Sequence, residues 1–538
     1  MVFSPLLIAA LLPIAAQAAN DWSQPCFGEC NWDITNGSGS GTVRLVGSQT
    51  GVSDLTTAAG WTILDCDPNT ADQDIRLVCH DPAMGCDHLN QNGAEGTLVR
   101  LPTSCGSMPF AVVTREWVHE DQSIPASKRS LLVRRDGSQP TVKGISLATD
   151  FAAVDPNVNG NVTLFVQGSS IPGVAGNFTV TPPTDGAVAK RGLFSWIGST
   201  LKNLSEVHKN ITGSAPLDFE KDVPLFDQSF SCPQNGAVPA FDGEAKVDLK
   251  GKVDGTVNYG VAAAGSIIPP KLDEFGLFVG LDATVTGTLG LDATLTGSIS
   301  SGKIPLFETG IPGLDFPKIL SIGPTFSVNA EATASLDANL NVDVDLAYTI
   351  AGAQLFFPPN DKPAGSFTPN DSNLKLSVSP NITSHGQIAA HLIPSLAFGI
   401  DVLSGAAKAT INLDVDASAA VDLSLTAVAE AGISKDGSKS TDASFGGCVD
   451  VTTGLAVTAG ADASLLSLFD KNTSVDLFNK TFDLFKKCFG SNPARRAYTG
   501  RAARAALMAK RASVGCPSGL LGKAASVVEE AVPAAKIV

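Results

Sequence analysis

The stretch FSVNAEATASLDANLNVDVDLAYTI, residues 326–350, places an apolar side chain at every even position and a polar one at nearly every odd position. A period of two belongs to a β-strand with one buried face. At about 3.3 Å per residue such a strand would run for roughly 80 Å, several times the usual length. Either the strands of this protein are very long or bulges bend them.

The same texture spreads outward from this stretch. Odd positions are apolar or Gly from Ala245 to Ile267 and again from Leu277 to Ile299, where GLDATVTGTL and GLDATLTGSI form a tandem ten-residue repeat. Even positions are apolar from Ile388 to Val402, and odd ones from Ala407 to Ala431 and from Val449 to Ala461. A slip of one residue turns a whole strand inside out, so each change of phase marks a turn or bulge. The change between Val402 and Ala407 falls on LSGAA, a hairpin signal. A lone ribbon cannot offset the entropy of ordering its backbone by burying one face. It must pair with neighbours and close against another sheet, as an elongated antiparallel sandwich or barrel. Several inner positions, Ala330, Ala332, Ala334 and Ala338, are small, which permits close sheet approach or leaves a groove.

Composition agrees with a mainly β protein. The 538 residues are 43% hydrophobic but only 17% charged, with 52 Gly. Residues 1–18, with an apolar run from Leu6 to Ala16 and the exit Ala16-Gln17-Ala18, read as a secretory signal peptide, with the mature chain starting near Ala19. No later run has the roughly 20 apolar residues of a membrane helix. A secreted, extracellular or cell-wall location follows as the expectation. The net charge of −16 excludes nucleic acid as a partner.

In an oxidising compartment the ten cysteines are disulfide candidates: Cys26, Cys30, Cys66, Cys79, Cys86 and Cys105 early, Cys232, Cys448, Cys488 and Cys516 late. Spacing does not select a connectivity. Sequons at Asn36, Asn161, Asn177, Asn203, Asn210, Asn370, Asn381, Asn472 and Asn479 are candidate glycosylation sites. The basic pairs Lys128-Arg129, Arg134-Arg135, Lys190-Arg191 and Lys510-Arg511 are candidate processing sites.

The expected order is a disulfide-rich β-domain over 19–125, a connector with dibasic sites over 126–191, an amphipathic helix over 192–223, a large β-domain over 224–490, and a basic, disordered tail over 491–538. In the helix, Leu193, Phe194, Trp196, Ile197, Leu201, Leu204 and Val207 share one face. Docking on the chain's own β-domain is favoured over release as a membrane-binding peptide. Phe478, Phe482, Phe485 and Phe489 recur at helical spacing before Gly490, predicting a terminal helix that returns Cys488 to Cys448 or Cys232.

Asp65, Asp67 and Asn69 match the first positions of a calcium loop, but Thr70 and Arg76 stand where Gly and a bidentate acid are required. With Asp72, Asp74, Cys79, His80, Cys86 and His88 nearby, disulfides plus a turn are favoured over calcium or zinc. Carboxylates are numerous enough to supply a glycosidase pair, yet Asp343/Asp345 and Asp414/Asp416 sit on the predicted outer face of regular strands, where solvated acids are expected. No nucleophile, phosphate-binding or zinc-protease motif accompanies the six histidines, so neither catalysis nor a cofactor is expected. A pore-forming barrel lacks its aromatic girdles.

The segments WTILDCDPN, QDIRLVC, GCDHLNQNGAEGTLVRLPTSCG and EDQSIP, in that order, resemble an uncharacterised family of secreted proteins from mushroom-forming fungi, over Asp21 to Pro125. The β-region from Pro224 to Gly490 resembles a domain of unknown function of fungal extracellular proteins. These resemblances imply a cell-surface context and no activity. The expected function is that of a non-enzymatic extracellular or cell-wall-associated glycoprotein, structural or binding, with wall polysaccharide or other extracellular proteins as partners. One alternative is an extracellular carrier holding a lipid or other apolar ligand against the Ala-rich face; another is a precursor processed at Lys190-Arg191 to release a membrane-active peptide.

Overall fold

The computed structural model describes residues 20, 22–36, 39–133, 138–173, 190–208, 215–235, 240–294, 296–336, 340–357, 364–378, 383–405, 407–428, 444–461, 474–489, 513–516 and 525–536. Two large antiparallel sheets face each other. The ten-stranded sheet runs, in spatial order, Glu29–Asn36, Gly39–Val46, Val162–Ser169, Phe241–Ile268, Lys271–Ala293, Leu340–Phe357, Ser372–Val378 and Ala525–Val532, with Ala215–Cys232 and Ala364–Pro369 paired off this path. The nine-stranded sheet is centred on Leu320–Leu336, Thr383–Val402, Ala407–Val428, Ser444–Ala461 and Ser474–Phe489.

The ribbon of residues 326–350 proves to be two strands in two sheets. Leu320–Leu336 pairs with Thr383–Val402 and Thr296–Ser300 in the nine-stranded sheet. Leu340–Phe357 pairs with Lys271–Ala293 in the ten-stranded one. The tandem repeat makes the same passage beside it, from Lys271–Ala293 into Thr296–Ser300. A two-stranded ribbon therefore turns a corner between the sheets. Because the inner face remains inner around that corner, the side-chain phase is kept, and an unbroken period of two hides the bend.

Inner-face residues of both sheets form one apolar core. Tyr259 meets Phe398 across it with ring centroids 5.5 Å apart, and Tyr348 meets Phe482 at 6.3 Å. The phase change at LSGAA is a tight connection that pairs Val402 with Ala407, with Leu403 and Gly405 at positive φ.

The predicted terminal helix is a strand, Ser474–Phe489. Its register against Ser444–Ala461 shifts twice, leaving Leu477 and Leu484 as the extra residues. Each such bulge adds one residue to the period. Phenylalanines at helical spacing thereby reach one sheet face, opposite Val457, Thr453 and Val451. The tail also departs from expectation, since Ser513–Gly515 and Ala525–Val532 each join one of the large sheets. Residues 490–512, including Lys510, Arg511 and Gly490, lie outside the described residues.

Residues 126–191 are more than a connector. Lys143–Ala148 is an inner strand of a third, six-stranded sheet whose other strands come from Val52 to Val118, and Val162–Ser169 joins the ten-stranded sheet. Glu29–Asn36 and Gly39–Val46, expected in the N-terminal module, also belong to the ten-stranded sheet. The six-stranded sheet has its own core around Trp61, Leu77, Leu89 and Val113.

The amphipathic helix, Lys190–His208, lies across the outer face of the ten-stranded sheet. Leu193, Trp196, Ile197 and Leu201 are buried there against Phe165, Ala262, Ala264 and Phe278, while Phe194 stays 50% exposed. Gly276 makes the close approach possible, because a Cβ there would come within 2.6 Å of Ile197 and 2.7 Å of Leu201.

Candidate functional site

All ten cysteines are paired: Cys26–Cys30, Cys66–Cys105, Cys79–Cys86, Cys232–Cys516 and Cys448–Cys488. The last joins directly opposed residues of neighbouring strands, so the strand at 474–489 delivers Cys488 to Cys448 without a helix.

The Asp-rich segment is a network of turns. Asp67 accepts from the backbone N–H of Asn69 and the hydroxyl of Thr70, which together hold its carboxyl below the usual range. Asp72 accepts from Thr149, Asp74 from Ser146, and Asp65 from Arg76. His80 bonds Thr62, and His88 bonds Ser53 while stacking on Phe27 at 3.9 Å. Among the described residues no group of three or more acids, cysteines and histidines is arranged to hold a metal ion.

Of the sequons, Asn161 and Asn479 are exposed and Asn203 and Asn370 half-buried, with Asn370 hydrogen-bonded to Thr349. Asn36 lies on a strand, and Asn177, Asn210, Asn381 and Asn472 fall outside the described residues. Lys128 donates to the carbonyl of Ile63 and Arg129 to that of Ile124. Lys190 and Arg191 open the docked helix, and Arg134 and Arg135 are outside the described residues.

The sandwich interior decides what kind of site remains. One void within it, lined by Leu217, Val253, Phe326, Ile350, Leu396 and Leu413 among others, is about 20 Å³. That is near the room of one water and far below that of an acyl chain. Of the small inner residues, Ala330, Ala332 and Ala334 are buried in the core, and Ala338 lies outside the described residues.

The candidate site lies on the outer face of the nine-stranded sheet. Gly323 and Gly399 are directly opposed across two strands, and Thr410 is the next residue in that row. Ser321, Asp401 and Lys408 form the adjoining row. With no side chains on the glycines, the rows enclose an open trough of about 430 Å³. Lys408 Nζ lies 3.1 Å from Asp401 Oδ2, while Asp401 Oδ1 is shielded and has no hydrogen-bond partner.

Farther along the same face, His391 Nδ1 is 2.9 Å from Asp416. Burial alone would lower its pKa, but the hydrogen bond and charge of Asp416, with Glu331 beyond, outweigh burial and raise it. Asp343 and Asp345 sit on the outer face of the other sheet. Burial raises the carboxyl of Asp343, and Asp345 accepts from Thr288 and Asn373. Neither acid pair is set into a cleft. Nothing in the local sequence marks Asp401 and Lys408 beyond Gly399, four residues before the LSGAA turn, and Gly323, its partner on the neighbouring strand.

The molecule is a disulfide-stapled β-sandwich with one continuous apolar core and a polar sheet face. Residues 244–490 match the model of a domain of unknown function, DUF7223. No curated protein and no solved structure gives a match. The matched region is smaller than the folded unit, because strands at 29–46, 162–169, 215–232 and 525–532 complete the same sheet. No helix among the described residues is long and apolar enough to cross a membrane.

Proposed function

We propose that this protein is a secreted, non-enzymatic extracellular or cell-wall-associated glycoprotein that binds wall polysaccharide on the outer face of its nine-stranded sheet. The observation that carries this reading is the trough of about 430 Å³ floored by Gly323 and Gly399, beside a core with a void of only about 20 Å³. A sugar chain offers hydroxyl donors and acceptors, for which the part-exposed Asp401 carboxylate and the exposed Lys408 ammonium are counterparts. Ser321 and Thr410 add neutral groups of the same kind. Five disulfides support the extracellular setting. Against a carrier stands the small size of the void described in the core, and against a released peptide the burial of Leu193, Trp196, Ile197 and Leu201 on the sheet.

The test is co-sedimentation of the full chain with insoluble β-glucan and with chitin. Retention on either, abolished in an Asp401→Ala/Lys408→Ala variant that melts like the parent, is the expected result. Full recovery of the parent in both supernatants overturns the proposal.

A further inference from the structure

Three side chains from distant parts of the sequence meet on the six-stranded sheet. Lys143 opens the strand Lys143–Ala148 and is paired with Val118 of Phe110–Val118. Glu116, two residues before Val118, therefore lies on the same face. Asn90 ends the short 3-10 turn Cys86–Asn90, whose first residue is fastened by the Cys79–Cys86 disulfide. Lys143 Nζ donates to Glu116 Oε1 at 2.6 Å. The amide of Asn90, turned so that both of its polar atoms find complementary partners, donates to Glu116 Oε2 at 2.6 Å and accepts from Lys143 Nζ at 3.3 Å. The Trp61 ring stands 5.9 Å from the ammonium. Only 32% of the Lys143 side chain and 18% of that of Glu116 are exposed.

We propose that Lys143 and Asn90 join in an isopeptide crosslink, with Glu116 as the residue that moves the protons. An amine, a carboxamide and a carboxyl group touching both are the complete set of reactants for this condensation. Glu116 takes a proton from the Lys143 ammonium through Oε1, leaving a neutral amine. The Nζ lone pair attacks Cγ of Asn90, and the carbonyl π electrons move to Oδ1. As the carbonyl re-forms, the Cγ–Nδ2 bond breaks. Nδ2 gains the second proton of Nζ through the Glu116 carboxyl and departs as ammonia, which then takes the remaining proton from Glu116 as ammonium. One C–N bond forms, one breaks, and nothing is oxidised or reduced.

The fold supplies what the reaction needs. Holding amine and amide in contact on rigid elements replaces a bimolecular encounter by an intramolecular one. The partial shielding of Lys143 and Glu116 strengthens their electrostatic coupling, and the exposed Asn90 gives ammonia a way out. The product would tie the disulfide-pinned turn to the middle of the sheet by a bond that reductants do not break.

Peptide mapping of the full-length secreted protein, reduced, denatured and digested with trypsin, tests this. The expected result is a branched peptide joining the segments around Asn90 and Lys143, lighter than the two linear peptides by one ammonia and uncut after Lys143. A Glu116→Gln variant that retains the Cys79–Cys86 pair should yield the linear peptides instead, as should Lys143→Arg. Parent protein that gives only linear peptides overturns the crosslink, a readout that needs no variant to fold. A branched peptide in Glu116→Gln overturns the part given to Glu116.

Discussion

Cys232 is bonded to Cys516 across 284 residues of sequence, and the strand that follows, Ala525–Val532, is the last of the ten-stranded sheet. The bond makes the end of the chain part of the sandwich. Replacing both cysteines by Ser removes the largest loop closure in the molecule and should lower stability by about 3–5 kcal/mol. Denaturant unfolding measures the loss, and limited proteolysis should clip the segment beyond residue 516 first. An unchanged midpoint with an uncut C-terminus would contradict the role assigned to the bond.

His208 holds the end of the docked helix, with Nδ1 2.9 Å from Asn258 Oδ1 and Nε2 2.8 Å from Ser169 Oγ. The amide oxygen accepts from Nδ1–H, and the Ser169 hydroxyl, which itself accepts from the N–H of Ile171, donates to Nε2. This arrangement suits the neutral ring. Burial lowers its pKa, with the Asn258 bond opposing. The folded state thus binds the proton less tightly than the unfolded one. Its contribution is complete above the ordinary value of about 6.5 and falls away as pH drops below it. His391 has the opposite sign: its raised pKa gives stability below about 6.5 that is lost as pH rises through the folded value. Melting curves from pH 4 to 8 for the parent, His208→Asn and His391→Asn should show the acid-side loss flattened in the first variant and the alkaline-side loss in the second. Parallel pH profiles in all three proteins would refute both assignments.

Gly276 is where the helix touches the sheet most closely. Gly276→Val should displace Ile197 and Leu201 and destabilise the protein by about 1–3 kcal/mol, as overpacking does. Hydrogen exchange should localise the change to residues 190–208. Uniform protection along the helix in the variant would show that the contact is not limiting.

Asp54 and Arg100 form a buried ion pair, 2.5 Å apart, at 0% and 5% side-chain exposure. Asp54 also accepts from the backbone N–H of Cys26 and Thr56, and Arg100 donates to the carbonyl of Gln24. Asp54→Asn leaves the guanidinium buried without its counter-charge and should cost about 3–5 kcal/mol. A loss below 1 kcal/mol in urea unfolding would mean that the knot between residues 22–26 and the six-stranded sheet is held by other contacts.

Much of the fold was legible because burial enforces a period of two. The phases at Ala245–Ile267, Ile388–Val402 and Val449–Ala461 each match a strand with those residues inward. The corner was not legible, since a bend that keeps the inner face inward leaves no mark on the pattern. Nor was the strand Ser474–Phe489, where bulges at Leu477 and Leu484 give its phenylalanines helical spacing. The strands at 29–46 and 525–532 reach their sheet by long-range pairing that local pattern cannot announce. The trough and the Asn90–Glu116–Lys143 cluster exist only through register, which brings together residues with nothing distinctive in their own neighbourhoods.

The central claim is that the sandwich is solid and meets its partners on its surface. Native mass spectrometry of the full chain, purified without detergent, tests it most directly. A solid sandwich gives a mass explained by the covalent chain alone, with no apolar molecule released on collisional activation. A stoichiometric lipid that leaves only when the protein unfolds would contradict it.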